Sequence, residues 1–117
     1  MTITAQIIGS LVGPEFHLFA NDAKLDVYTV SSGNRLMTLA DASFANDTGS
    51  AVPCKLYHYV GTTTTERLFW TGSVAANATD GPDGVLIRLA PNDVIRAKAD
   101  AGVTLTLSLV SQLENTR

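Results

Sequence analysis

Val103-Thr104-Leu105-Thr106-Leu107-Ser108-Leu109-Val110 decides the fold. Apolar and hydroxyl side chains alternate through this stretch with a period of two. In a strand that period sends Val103, Leu105, Leu107 and Leu109 to one face and Thr104, Thr106 and Ser108 to the other. An amphipathic helix needs a period near 3.6, which this stretch does not have. The same alternation recurs along the chain. Leu25, Val27 and Thr29 stand opposite Asp26, Tyr28 and Val30. In the stretch from Arg35 to Ala45, Leu36, Thr38, Ala40, Ala42 and Phe44 stand opposite Met37, Leu39, Asp41 and Ser43.

Turn residues divide the chain between these runs. Gly13-Pro14, Asn21-Asp22, Ser31-Ser32-Gly33-Asn34, Asn46-Asp47-Thr48-Gly49-Ser50, Thr62 to Thr65 and Asp80-Gly81-Pro82-Asp83-Gly84 each punctuate a strand pattern. Val52–Val60 and Arg67–Ala75 read as a hairpin, with Pro53 near its start, where a missing N–H is tolerated. The segment after Pro91-Asn92-Asp93 is open to two readings. One is a short helix to Ala101 ended by Gly102. The other, preferred from the surrounding spacing, is a strand with Ile95, Ala97 and Ala99 inward and Arg96 and Lys98 outward. About eight short strands at intervals of roughly 8–12 residues predict an all-β antiparallel sandwich or flattened barrel. The expected core is Leu25, Val27, Leu36, Leu56, Leu68, Trp70, Val74, Val85, Ile87, Leu89, Val103, Leu105 and Leu107.

Length and charge narrow the function classes. The chain has 117 residues, 45% hydrophobic and 16% charged, which predicts one domain over 1–117 with a sizeable core and no intrinsic disorder. The net charge is −3, and no cluster of Lys or Arg exists to replace phosphate counterions, so nucleic acid is not an expected partner. No apolar run approaches the roughly twenty residues of a membrane span, so no membrane partner is expected either. The start, Met1 to Gly13, reads as a strand and not a signal peptide, and cytoplasmic synthesis is expected. The one cysteine, Cys54, excludes an internal disulfide.

The chemistry-bearing residues do not converge in the sequence. His58 shares a strand face with Cys54 and Leu56, yet Cys54 and His58 lie about 13 Å apart along an extended strand. They form no nucleophile–base dyad and share no metal. His17 also sits in a strand-like run, and both histidines are expected to be structural. Asp80 and Asp83 beside glycines, with Asp47 or Asp93 added by the fold, would begin a calcium loop. Such a loop needs about six to eight oxygen ligands, and the turn reading is preferred. Ser31-Ser32-Gly33 and Thr71-Gly72-Ser73 are not nucleophile elbows, and no phosphate-binding glycine loop is present. Asn46 and Asn77 head glycosylation-like triplets that mark exposed turns. Tyr57, Tyr59 and Phe69 are placed on one face as a candidate carbohydrate platform, with Trp70 and Leu68 on the other; cross-strand packing is the competing reading. No catalytic residue, cofactor or metal site is expected, and the chain reads as non-enzymatic.

Several pieces together resemble small β-sandwich virion proteins of tailed phages. They are Asp26 to Arg35, Phe44 to Val52, Glu66-Arg67-Leu68 with Trp70, Val74 to Thr79 and Leu89 to Ala97, where Asn92 stands at a usual glycine position. The resemblance covers about residues 24–110. It implies a structural virion subunit, foremost a capsid decoration (cement) protein, with a neck or tail component as alternative. The implied partners are like copies and the major capsid protein, and the implied location is the virion. The rival from another class is a carbohydrate-binding module on a host-facing appendage. Arg35, Lys55, Arg88 and Lys98 are few for guarding sheet edges. The N-terminal strand, within residues 1–12, is therefore expected to take part in assembly.

Overall fold

The computed structural model describes residues 7–30 and 36–114, with side-chain surroundings for 15–30 and 37–111. Nine strands are present among the described residues: β1 (Ile7–Leu18), β2 (Leu25–Thr29), β3 (Leu36–Asn46), β4 (Val52–Val60), β5 (Thr65–Val74), β6 (Ala78–Asp80), β7 (Ile87–Leu89), β8 (Val94–Lys98) and β9 (Val103–Glu114). The described residues contain no helix. A five-stranded sheet runs β1-β9-β3, with β6 and β7 both against the far side of β3. A four-stranded sheet runs β2-β8-β4-β5, and all pairs are antiparallel. The architecture is a β-sandwich.

The core follows from the pleat. Val103, Leu105, Leu107 and Leu109 all point inward from β9 and are fully buried, as their alternation predicts. Opposite them, Val52, Cys54 and Leu56 on β4 and Ile95 and Ala97 on β8 close the other layer, with Ala99 just beyond β8. Each fully buried leucine contributes about 1.5–3 kcal/mol. The segment after Asp93 is the strand β8, with Ile95, Ala97 and Ala99 inward and Arg96 and Lys98 half-buried.

Three β-bulges correct the predicted faces. The β3–β9 register shifts between Leu39 and Asp41. The extra residue, Ala40, turns Met37 and Leu39 inward before it and Ala42 and Phe44 inward after it, so one unbroken phase does not hold. In the β4–β5 hairpin the register shifts so that Leu56 faces Trp70 and Tyr57 faces Leu68. Phe69 is the extra residue, which leaves Leu68 on the outer face at 48% exposure and packs Phe69 against the core. Leu25 is also exposed, since β2 is a short edge strand with its own bulge at Val27. Val85 and Ile87 are half-buried, and Trp70 is half-buried but packed on the core. Leu36 and the turn 31–35 lie outside the described side chains and residues respectively.

Candidate functional site

Each end of the sandwich is tied by one buried polar residue. At one end Asp93 is 3% exposed. Its Oδ2 accepts from His58 Nε2 at 2.9 Å and from Ala90 N at 3.1 Å, and its Oδ1 accepts from Gly61 N at 3.1 Å. Its backbone also bonds Val30 and Ala90. The turn needs Asn92 in the left-handed region at φ 74°, the glycine-like place foreseen from sequence. Gly61 is required because a Cβ there would sit 2.4 Å from Asn92 O. Burial disfavours the charged Asp93 carboxyl, but the hydrogen bonds from His58, Ala90 N and Gly61 N outweigh it and hold its pKa below the usual value. His58 Nδ1 is buried with no partner among the described residues.

At the other end Asn46 is 2% exposed. Its Nδ2 donates to the carbonyls of Ser50, Val74 and Ala75, and its Oδ1 accepts from Thr48 N and Thr48 Oγ1. It therefore joins the β3–β4 turn to the end of β5. The sequence puts Asn46 in a loop and Asp93 in a turn; Val74 and Ala75, which Asn46 reaches, and His58 and Gly61, which Asp93 reaches, stand far off in the chain. The one local signal for Asn46 is its place before Asp-Thr-Gly, where an Asx turn forms.

The sequence-predicted candidates do not assemble into a catalytic or metal centre. His17 lies on β1 and His58 on β4, in different sheets. Among the described residues no three His, Cys, Asp or Glu side chains converge as metal ligands. Asp80 Oδ1 accepts from the adjacent Gly81 N, a turn contact. Cys54 is fully buried, and burial, with Asp100 nearby, pushes its thiol up to about 11. It is a protonated core side chain and not a nucleophile. A pocket of about 130 Å³ is lined by Asp22, Pro53, Lys55, Lys98, Ala99 and Asp100, whose charges cancel.

The aromatic platform is occupied. On the outer face of the four-stranded sheet, Lys24 sits 4.5 Å from the Tyr57 ring centroid and Arg96 sits 4.4 Å from that of Tyr59. Both cations are held by Glu66, and Arg96 also by Asp26. Glu66 is lowered in pKa by its bonds to Lys24 and Arg96. Trp70 stacks on Phe44 at 5.7 Å, in the space between the sheets. Cross-strand and inter-sheet packing therefore uses the residues that a sugar platform would need free.

The sheet edges remain. The β3 side of the five-stranded sheet is blunted: its partner strand is broken into β6 and β7 by a loop that contains Pro82. On the other side β1 is an edge of 12 residues without a lysine or arginine, bulged at Val12 and carrying Pro14. In the four-stranded sheet β2 is short and bulged, whereas β5, bulged at Phe69, is an edge of 10 residues. Among the described residues each sheet thus has one long edge without a partner strand. Phe16 and Leu18, 65% and 70% exposed, stand on β1, and Leu68 stands on β5.

A two-layer antiparallel sandwich with one long open edge per sheet is the class that fold and surface define. A solved chain from Bacillus endospore appendages, described as forming a novel family of disulfide-linked pili, has this fold: it matches with a TM-score of 0.56 and 16% identity, over 97% of this chain and 92% of that one. No protein-family model matches the sequence, and no curated protein matches it. The structural match corrects the resemblance to phage virion proteins. The decoration, neck and tail roles, the capsid partner, the virion location and the sugar-binding alternative fall with it. That resemblance rested on short strand and turn pieces, which sandwiches of many kinds share. Nearly the whole chain shares its fold with that solved chain.

Proposed function

We propose that this chain is a non-enzymatic structural subunit that polymerises with copies of itself into a surface filament, joined through its open sheet edges. The observation that carries the reading is the shared fold with a pilus protein across 97% of the chain. The long edges of β1 and β5 support it, because a sheet edge is a template for another strand. So do Asp93 and Asn46, buried polar residues whose hydrogen bonds tie the ends of the scaffold together.

In one respect this chain differs from disulfide-linked pili. Its single cysteine is Cys54, which is fully buried with a thiol raised to about 11. The filament of this chain is therefore held by backbone pairing and side-chain packing, without disulfide links between subunits. Negative-stain electron microscopy and sedimentation of the purified protein, with and without dithiothreitol, test this. Filaments or oligomers of equal abundance in both conditions are expected. A protein that stays monomeric at high concentration overturns the proposal, and polymers that dissolve in reductant overturn the account of how they are joined.

A further inference from the structure

We infer that Glu15 on β1 and Arg67 on β5 of a second copy form the ion pair that sets the register between subunits; this rests on the polymerising reading above. Among the described residues neither side chain has an ion partner, although Lys24, Asp26, Glu66 and Arg96 nearby are all paired. Glu15 is the only acidic residue of β1, and Arg67 the only basic residue of β5.

Their positions match in an antiparallel join. Glu15 stands opposite inward-pointing Leu107, and its charge acts on Tyr28 of the other sheet, so it lies on the inner face. Arg67 stands opposite buried His58, also on the inner face. A half-turn about an axis across the strands keeps the inner faces continuous and makes β1 antiparallel to β5. The end of β1 then meets the start of β5. Glu15 is three residues before the last residue of β1 and Arg67 two residues after the first of β5, so when the strand ends are level the two fall within one residue of each other.

The same register improves two other features. With Glu15 opposite Arg67, Phe16 and Leu68 become diagonal neighbours on the outer face, about 7–8 Å apart and within reach of each other. Both are exposed in the single subunit, at 65% and 48%. The bulge of β1 at Val12 and that of β5 at Phe69 also come within one residue of the same level, so the two strands bend together.

Charge reversal tests the pair. Glu15→Lys and Arg67→Glu are compared singly and together, with thermal melting as a check that each variant folds. Each single reversal is expected to raise the concentration at which assembly begins by about tenfold. The double variant is expected to return to within about twofold of the unaltered protein. A double variant that assembles no better than the singles, or singles that assemble normally, overturns the pair. A protein that does not assemble unaltered overturns the polymerising reading itself. As a second measurement, Glu15→Cys and Arg67→Cys proteins are mixed and oxidised. Opposed Cα atoms of an antiparallel pair lie about 4.5–5.5 Å apart, inside the roughly 4.4–6.8 Å that a disulfide spans. A covalent dimer of the two species is expected, and cross-linking no greater than in either variant alone overturns the register.

Discussion

Replacing Asp93 by Asn keeps the shape of the side chain and removes its charge. The carboxylate accepts three hydrogen bonds, two at Oδ2 and one at Oδ1. An amide offers only one acceptor atom. If its oxygen takes the Oδ2 place, the N–H of Gly61 faces another donor and is orphaned. A buried orphan donor costs about 1–3 kcal/mol, and the two remaining bonds lose about half of a charged bond's roughly 1.5–3 kcal/mol each. The expected loss is about 2.5–6 kcal/mol, a large part of the roughly 5–15 kcal/mol that holds a domain together. Urea unfolding at pH 7 measures it. The pH dependence gives a second reading. Because the folded carboxyl has a pKa below its ordinary value of about 3.9, its stabilising contribution is present above that value and is lost as pH falls through the lowered one. Glu66, also lowered, adds a smaller loss in the same direction at the partly exposed surface. The Asn variant should therefore show a shallower acid decline than the unaltered protein. A variant within about 0.5 kcal/mol of the original, the usual range for surface changes, together with an unchanged acid profile, would refute the role given to Asp93.

Other outcomes follow from the packing. Trp70→Ala should cost about 3–5 kcal/mol in chemical unfolding, since the ring stacks on Phe44 between the sheets; a neutral result would mean that the stack carries no stability. Gly61→Ala should be destabilised by about 1–3 kcal/mol, as a Cβ must displace the Asn92 backbone, and an unchanged melting temperature would contradict that close approach. Cys54 should resist a thiol reagent in the native state and react only on unfolding, because the thiol is buried and raised to about 11; rapid labelling of the folded protein would contradict its burial.

The local periodicities were legible and the long-range ties were not. Val103 to Leu109 alternate without interruption because β9 is a central strand with one face in the core. The helix-or-strand choice after Asp93 came out as strand because Ile95, Ala97 and Ala99 keep step with that core. The predicted faces slipped at Ala40 and Phe69. A bulge changes phase without any obligatory residue type, so neither alanine nor phenylalanine announces it. His58 was rightly placed beside Cys54 and Leu56, yet its partner Asp93 stands 35 residues away and is brought in only by sheet pairing. The turn residues were sound guides to backbone conformation, as φ 74° at Asn92 shows. They were poor guides to kinship, since turn chemistry is common to unrelated sandwiches.

The central claim is self-assembly through open edges without disulfide links. Its most direct test is electron microscopy of the purified protein at high concentration in dithiothreitol, beside the same sample without it. The account predicts filaments or regular oligomers in both samples. Monomers alone, or polymers only in the absence of reductant, would contradict it.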